Sequence, residues 1–338
     1  MGDILHALPA VTALRQAHPN WVIDWVVEPR WQALLTAPGN PRRGPARPLV
    51  DRISLADTKA WRKQPFSLDT IYAVVLLRQQ LRYSGYNAAI DFQGALRSAL
   101  IGNFTGCRRH IGEAAPREYI ARWIFDERVR THGAHVIEQD VELACAIAGD
   151  SLRPVTPMLP IDFAAELWCD NLLAHAAGMP IALISPGAGW GAKRWPPACY
   201  ASVAQGLIDR GFHVLVNCGP GEEPLAAFIT QMTNGVARTL TPTLDQLIAV
   251  TRRITLCVAG DTGPLHLACA LRRPVVGIYG PTDPSRNGPF GTRSRVLRSP
   301  DSVRDHSRRP EPEPGLLTIQ PSEVLEAADE LLAEGRVL

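Results

Sequence analysis

What most constrains this chain is an alternation. Short runs rich in β-branched and aliphatic residues recur between longer stretches whose apolar residues return every three to four positions. Such runs bury both faces of a strand only if helices cover the sheet, so the pattern specifies parallel α/β architecture. It predicts strands at Trp21–Val27, Ala88–Phe92, Ile181–Ser185, His213–Cys218, Ile254–Ala259 and Val275–Tyr279. It predicts helices at Ile4–Ala17, Ser67–Tyr83, Ala134–Ala148, Pro197–Asp209, Glu222–Met232, Leu244–Thr251, Thr262–Leu271 and Pro321–Leu332. On the first of these, Leu5, Leu8, Val11 and Leu14 share a face. A parallel α/β domain normally opens with a strand that delivers its first helix. Here the helical pattern starts at Ile4, so the first sheet is expected to lack its first strand, or the chain to start downstream of it. No internal repeat is visible.

At roughly 100–200 residues per domain, a chain of this length holds two domains. Asp150–Pro160 loses periodicity and carries three prolines in seven residues, as an interdomain linker does. The expected domains are therefore 1–160 and 161–338. The first carries 19 basic and 15 acidic side chains, the second 16 and 18, which makes the first the better side for an anionic partner. Pro38–Pro48 and Arg298–Gly315 read as solvated loops. A net charge of +2 and 46% hydrophobic residues exclude disordered and fibrous classes and give little support to nucleic-acid binding. Seven dispersed cysteines with no C-x-x-C pair argue against zinc ribbons, redox dithiols and disulfide frameworks, and for a reducing compartment. The longest apolar run, Ile71–Leu77, is far short of a membrane span, and the N-terminus lacks a signal peptide's basic and apolar regions. Only Lys59, Lys63 and Lys193 are lysines, and the other 32 basic residues are arginines.

Three predicted strands end in glycine-bearing loops, and in open α/β sheets ligands sit beyond such strand ends. Gly260-Asp-Thr-Gly-Pro-Leu-His266 opens a helix whose free N–H groups and dipole suit a phosphate. Alternatively Asp261 or Thr262 merely caps that helix, and His266 is a core residue. Ser185-Pro-Gly-Ala-Gly-Trp-Gly-Ala-Lys193 is neither a Walker A sequence nor a G-x-G-x-x-G turn, yet it offers a diphosphate backbone donors and a cation. As a plain flexible loop it would leave Lys193 in solvent. In Gly219-Pro-Gly-Glu-Glu223, Glu222 suits ribose hydroxyls or simply complements a helix dipole. Asp3 stands where an N-cap would, the commoner role for a lone Asp there, and is also a candidate general base. Lys59-Ala-Trp-Arg-Lys63, with Arg108, Arg109 and Arg117, is a cationic cluster in the first half.

Four separated segments carry a more specific signal: Met1-Gly-Asp-Ile-Leu-His-Ala-Leu-Pro-Ala10, Ala89-Ile-Asp-Phe-Gln-Gly-Ala-Leu-Arg-Ser-Ala99, Pro186-Gly-Ala-Gly-Trp-Gly-Ala-Lys-Arg-Trp-Pro196, and Gly260–Ala268 with Gly280-Pro-Thr-Asp-Pro284. In this order they resemble glycosyltransferase family 9, and within it the lipopolysaccharide heptosyltransferases of the heptosyltransferase I type. The resemblance implies a GT-B fold, two Rossmann-like domains facing across a cleft, with the acceptor on the N-terminal domain and the nucleotide sugar on the C-terminal one. The last helix is considered for packing back on the N-terminal domain. The implied donor is ADP-L-glycero-D-manno-heptose, the acceptor a Kdo residue of lipid A at the membrane surface, and the reaction inverting, with no metal or other cofactor. Asp3 then matches the catalytic base, and Lys193 with the Thr262–Gly263 helix start matches the stabiliser of the leaving diphosphate. Gly187, Ala188, Gly189, Glu222, Asp261 and His266 match donor positions, with Glu222 on the ribose. Lys59, Arg62, Lys63 and Arg117 match acceptor-binding cations. The resemblance also implies a cytoplasmic protein, peripheral on the inner membrane. Relatives carry a strand ahead of the Gly-Asp motif at which this sequence opens, so Asp3 is expected on a poorly held terminus. Two alternatives stand beside this reading: a relative adding a later heptose or another sugar, and a nucleotide-binding protein inactive through loss of that strand.

Overall fold

The structure, a computed structural model, describes residues 1–39, 42–305, 307 and 309–335. Residues 40, 41, 306 and 308, within the two expected loops, lie outside the described residues. The chain divides into two compact units, Asp3–Ile161 with Met1, and Asp162–Leu338.

The first unit opens on helix α1 (Gly2–Ala17), followed by strands β1 (Asp24–Val27) and β2 (Arg52–Leu55) and helices α2 (Thr58–Lys63) and α3 (Leu68–Tyr83). Then come β3 (Ala89–Asp91), α4 (Leu96–Asn103), β4 (His110–Glu113), β5 (Glu127–Val129) and α5 (Val136–Ala148). All its strand pairs are parallel, but they form two sheets, β1-β2 and β3-β4-β5, which no ladder joins among the described residues. Helix α1 is the first element among the described residues. In its core Ala10 and Leu14 pack with Val141 and Ala144, Leu77 and Leu81 with Ala56, and Ala99 with Ala121 and Phe125. A cavity of about 440 Å³ runs beside both sheets, lined by Ile4, Ala7 and Val11 of α1, Val27 of β1 and Ile90 of β3.

The second unit contains α6 (Phe163–Leu173), β6 (Ile181–Ser185), α7 (Pro197–Asp209), β7 (His213–Asn217), α8 (Glu223–Met232) and β8 (Arg238–Leu240). It continues with α9 (Leu244–Arg253), β9 (Leu256–Gly260), α10 (Gly263–Ala270), β10 (Val275–Tyr279), α11 (Pro284–Asn287), β11 (Ser294–Arg298) and α12 (Pro321–Glu334). Six parallel strands form one sheet in the order β8-β7-β6-β9-β10-β11. Numbered from its first strand, this is the doubly wound order 3-2-1-4-5-6, whose switch point lies between β6 and β9. The central strands β6, β9 and β10 are buried at every residue and read as continuous apolar runs, because helices cover both faces. Helix α12 buries Val324, Ala327, Ala328 and Leu331 in the second unit's own core, beside α7, β10 and β11.

Candidate active site

In the second unit, the loops that follow β6 and β9 flank the switch point, and they meet there through three side chains. The Lys193 ammonium pairs with Asp261 Oδ2, and His266 Nε2 donates to Asp261 Oδ1 at 3.1 Å. All three side chains are about nine-tenths buried (11%, 8% and 7% exposed). Burial opposes charge on Asp261, but the His266 hydrogen bond and the Lys193 cation overcome it and hold the carboxyl well below its ordinary range. The Lys193 ammonium also lies 4.2 Å from the centre of the Trp190 ring. Lys193 is therefore no solvated surface charge, and Asp261 is engaged in pairing rather than capping.

Thr262 occupies the N-cap position of α10 in extended conformation, yet its side chain makes no capping bond. Among the described residues its buried hydroxyl has no hydrogen-bond partner, and neither has that of Thr282 in the loop after β10. A cation, the first turn of an eight-residue helix and an unspent hydroxyl thus lie in adjoining loops, as anion binding requires.

Glu222 links the loops after β6 and β7. Its Oε2 accepts from the Gly219 N–H at 2.9 Å, and a Cβ on Gly187 would come within 1.8 Å of its Oε1. Glycine at 187 is thus what admits that carboxylate, while Ala188 and Gly189 complete the turn toward the 3-10 turn Gly191–Lys193. The Ala192 N–H donates to the Arg309 carbonyl at 3.0 Å, and Glu313 N–H to the Ala192 carbonyl at 3.1 Å, so a distant segment closes over the loop.

In the first unit, Met1 rather than Asp3 is the N-cap, and Asp3 sits two residues past it, inside the first turn of α1. Asp3 is exposed. Its Oδ2 accepts from Gln93 Nε2 at 3.1 Å and lies 3.8 Å from Arg117 Nη1. The loop supplying Gln93 is held by Asp91, whose Oδ1 accepts from the Gln93 and Gly94 N–H groups at 2.7 and 2.9 Å. Gly94 adopts a φ of 64°, a left-handed conformation that glycine takes without strain. Arg117 thus joins Asp3, whereas Lys59, Arg62 and Lys63 lie exposed on α2. Thr58, which opens α2, donates to Glu28 Oε1 at 2.5 Å and accepts from Arg97 Nη1 at 3.3 Å.

Sequence reasoning assigned no role to Gln93, Arg97, Trp190, Thr282, Glu28 or Thr58. Gln93, Arg97 and Trp190 lie inside the quoted segments, as does Thr282, and only their mutual geometry singles them out. Glu28 and Thr58 lie in stretches with no motif. Among the described residues no group of three or more His, Cys, Asp or Glu side chains is placed to hold a metal ion, and no helix is long and apolar enough to cross a membrane.

Residues 74–316 match the family described as "Glycosyltransferase family 9 (heptosyltransferase)". The chain is 30% identical to lipopolysaccharide heptosyltransferase 1 of Escherichia coli K12 over 312 residues, covering 89% of this chain and 91% of that protein. It is 27% identical to lipopolysaccharide heptosyltransferase 2 of the same strain over 352 residues, covering 99% and 96%. The structure of E. coli heptosyltransferase WaaC with ADP superposes with a TM-score of 0.79 at 26% identity, covering 98% of this chain and 97% of that one.

Proposed function

The chain belongs to glycosyltransferase family 9, a heptosyltransferase of the lipopolysaccharide core with a GT-B type of fold, and from that premise we propose its particular reaction. The enzyme moves L-glycero-D-manno-heptose from ADP-heptose to a Kdo residue of the inner core, with inversion and without a metal. What carries this reading is the buried Lys193–Asp261–His266 cluster beside the unpartnered Thr262 hydroxyl at the start of α10. A nucleoside diphosphate leaving group needs positive charge and N–H donors where its negative charge develops, and such preorganised groups act where a metal would otherwise act. The greater identity to the heptosyltransferase 1 relative favours the first heptose position.

In this mechanism the Asp3 carboxylate accepts the proton of the acceptor hydroxyl as that oxygen attacks the anomeric carbon on the face opposite ADP. The carbon–oxygen bond to the β-phosphate breaks, and the electron pair leaves with ADP. Lys193 and the Thr262–Gly263 helix start stabilise the departing diphosphate. Gln93 orients Asp3 through its amide donor. Gly187, Ala188, Gly189, Glu222, Asp261 and His266 form the donor pocket, with Glu222 on the ribose. Lys59, Arg62, Lys63 and Arg117 meet the acceptor's carboxylates and phosphates, and on this reading the protein works at the cytoplasmic membrane surface.

The test is ADP release from ADP-heptose with two acceptors, Kdo-lipid A and the same lipid already carrying one heptose, with and without a chelator. Turnover on the first alone, unaffected by chelation, is expected. Turnover only on the second moves the assignment to the heptosyltransferase 2 reaction. Asp3→Asn is expected to lower kcat by about 10²–10⁴-fold while ADP affinity measured by calorimetry stays constant. Wild-type turnover in that variant removes Asp3 from the mechanism.

A further inference from the structure

The loops that carry Lys193 and Thr282 are laced together from a third place in the chain, the stretch between β11 and α12. Its composition reads as that of a solvated loop, yet its described residues bond inward on both sides. On the Lys193 side both backbone groups of Ala192 are engaged: its N–H donates to the Arg309 carbonyl at 3.0 Å, and its carbonyl accepts from the Glu313 N–H at 3.1 Å. A Cβ on Gly191 would stand 1.7 Å from the Pro310 carbonyl oxygen, so glycine is what lets the two backbones approach this closely. On the Thr282 side, Arg298 at the end of β11 donates from Nε to the Gly280 carbonyl at 3.1 Å, and the Asp305 N–H donates to the Pro281 carbonyl at 3.0 Å.

One side chain closes the path between these two anchor points. Arg298 Nη2 donates to the Ser302 carbonyl at 2.7 Å. The Ser302 hydroxyl, in a residue 8% exposed, donates to Glu313 Oε2 at 2.9 Å. The same oxygen accepts from the Leu316 N–H at 3.0 Å and so caps the 3-10 turn Pro314–Thr318. Leu316 itself is fully buried in the second unit's core. A hydrogen-bonded chain thus runs from Gly280 through Arg298, Ser302 and Glu313 to Ala192, the residue before Lys193. Glu313 is its junction. The carboxylate holds the Ser302 end, the N–H holds the Ala192 end, and the cap fixes both to the core. Hydrogen bonds to a carboxylate are about twice as strong as neutral ones, and removing a shared acceptor leaves each of its donors unpaired.

We propose that Glu313 is a positioning residue for the transfer reaction. It acts through Ala192 rather than on the substrate, and sets Lys193 and Thr282 at the spacing that a diphosphate requires. The proposal rests on the reading of the Lys193 loop and the start of α10 as a diphosphate cradle. Misplacing such a group by about 1 Å costs on the order of a hundredfold. The loss has a signature: a displaced cradle weakens contacts with the terminal phosphate and spares those with the nucleoside, whereas a general loss of stability lowers the binding of every nucleotide alike.

The experiment measures, by calorimetry, the affinities of ADP and AMP for the wild-type chain and for Glu313→Ala, Glu313→Gln, Ser302→Ala and Thr243→Ala. The wild-type chain is expected to bind ADP more tightly than AMP. Glu313→Ala is expected to cut that preference about tenfold or more, and Glu313→Gln, whose amide oxygen takes the place of Oε2, to keep most of it. Ser302→Ala removes one donor from the same junction and is expected to shift the preference in the same direction by less. Thr243→Ala, which removes the cap of α9 elsewhere in the second unit, is expected to lower Tm and leave the preference unchanged. A preference retained in Glu313→Ala, or in Ser302→Ala where Glu313→Ala does not fold, overturns the role of Glu313, as does an equal loss in Thr243→Ala. Equal wild-type affinity for the two nucleotides overturns instead the cradle on which the proposal rests.

Discussion

At the scale of residues, Lys193 is the position where charge and shape are hardest to separate. Its ammonium is a compact donor that fits against Asp261 and over Trp190, and a planar guanidinium presents its hydrogens differently. Lys193→Arg is accordingly expected to lose most transfer activity despite keeping its charge, as steady-state kinetics will show. Removing one partner of a buried pair leaves the other uncompensated, so Asp261→Asn should destabilise the second unit by about 3–5 kcal/mol in denaturant titration. Because the Asp261 carboxyl is depressed, the pair's contribution is present above the unfolded value of about 3.9 and is lost only as acid reaches its lower folded value. It is flat across neutral pH. The chemistry-bearing residues were legible as residue types after strands. That Lys193, Asp261 and His266 touch was not, because 68 positions separate the first two.

At the scale of elements, legibility followed length and burial. Ile181–Ser185, Val275–Tyr279 and Pro197–Asp209 have the bounds their patterns predict, since each is a long apolar or amphipathic run with clear punctuation. The strands without a sequence signal, β2, β4, β5, β8 and β11, are three to five residues long and mostly mixed in polarity. Arg238–Leu240, for instance, carries one buried side chain, and pairing with β7 rather than propensity makes it a strand. Helices α2, α4 and α6 escaped for a similar reason: α2 has no buried residue and α4 has one, so no apolar stripe marks them, while α6 directly follows the proline-rich stretch. Caps are a separate contribution. Thr243 and Gln246 close a capping box on α9, and Thr243→Ala should cost about 1 kcal/mol, read as a lower denaturation midpoint.

At the scale of the whole molecule, the two units are unequally consolidated. Among the described residues the second has one six-stranded sheet and the first has two small ones. On heating, peptides from residues 1–161 should become susceptible to protease before those from 162–335, and ADP should delay only the latter, since a ligand stabilises the unit that binds it. The chain divides between Ile161 and Asp162, just past the proline-rich Asp150–Pro160, whereas β2, β4 and β5 of the first unit are too short and too mixed in polarity to mark the sequence. The burial of Lys193 has a practical side as well. Its chain contains just three lysines, and the other two stand exposed on α2. Amine-reactive reagents will therefore acylate Lys59 and Lys63 promptly and leave Lys193 for last, so that one mass spectrum of a mildly labelled sample reports both the condition of the donor loops and the accessibility of α2.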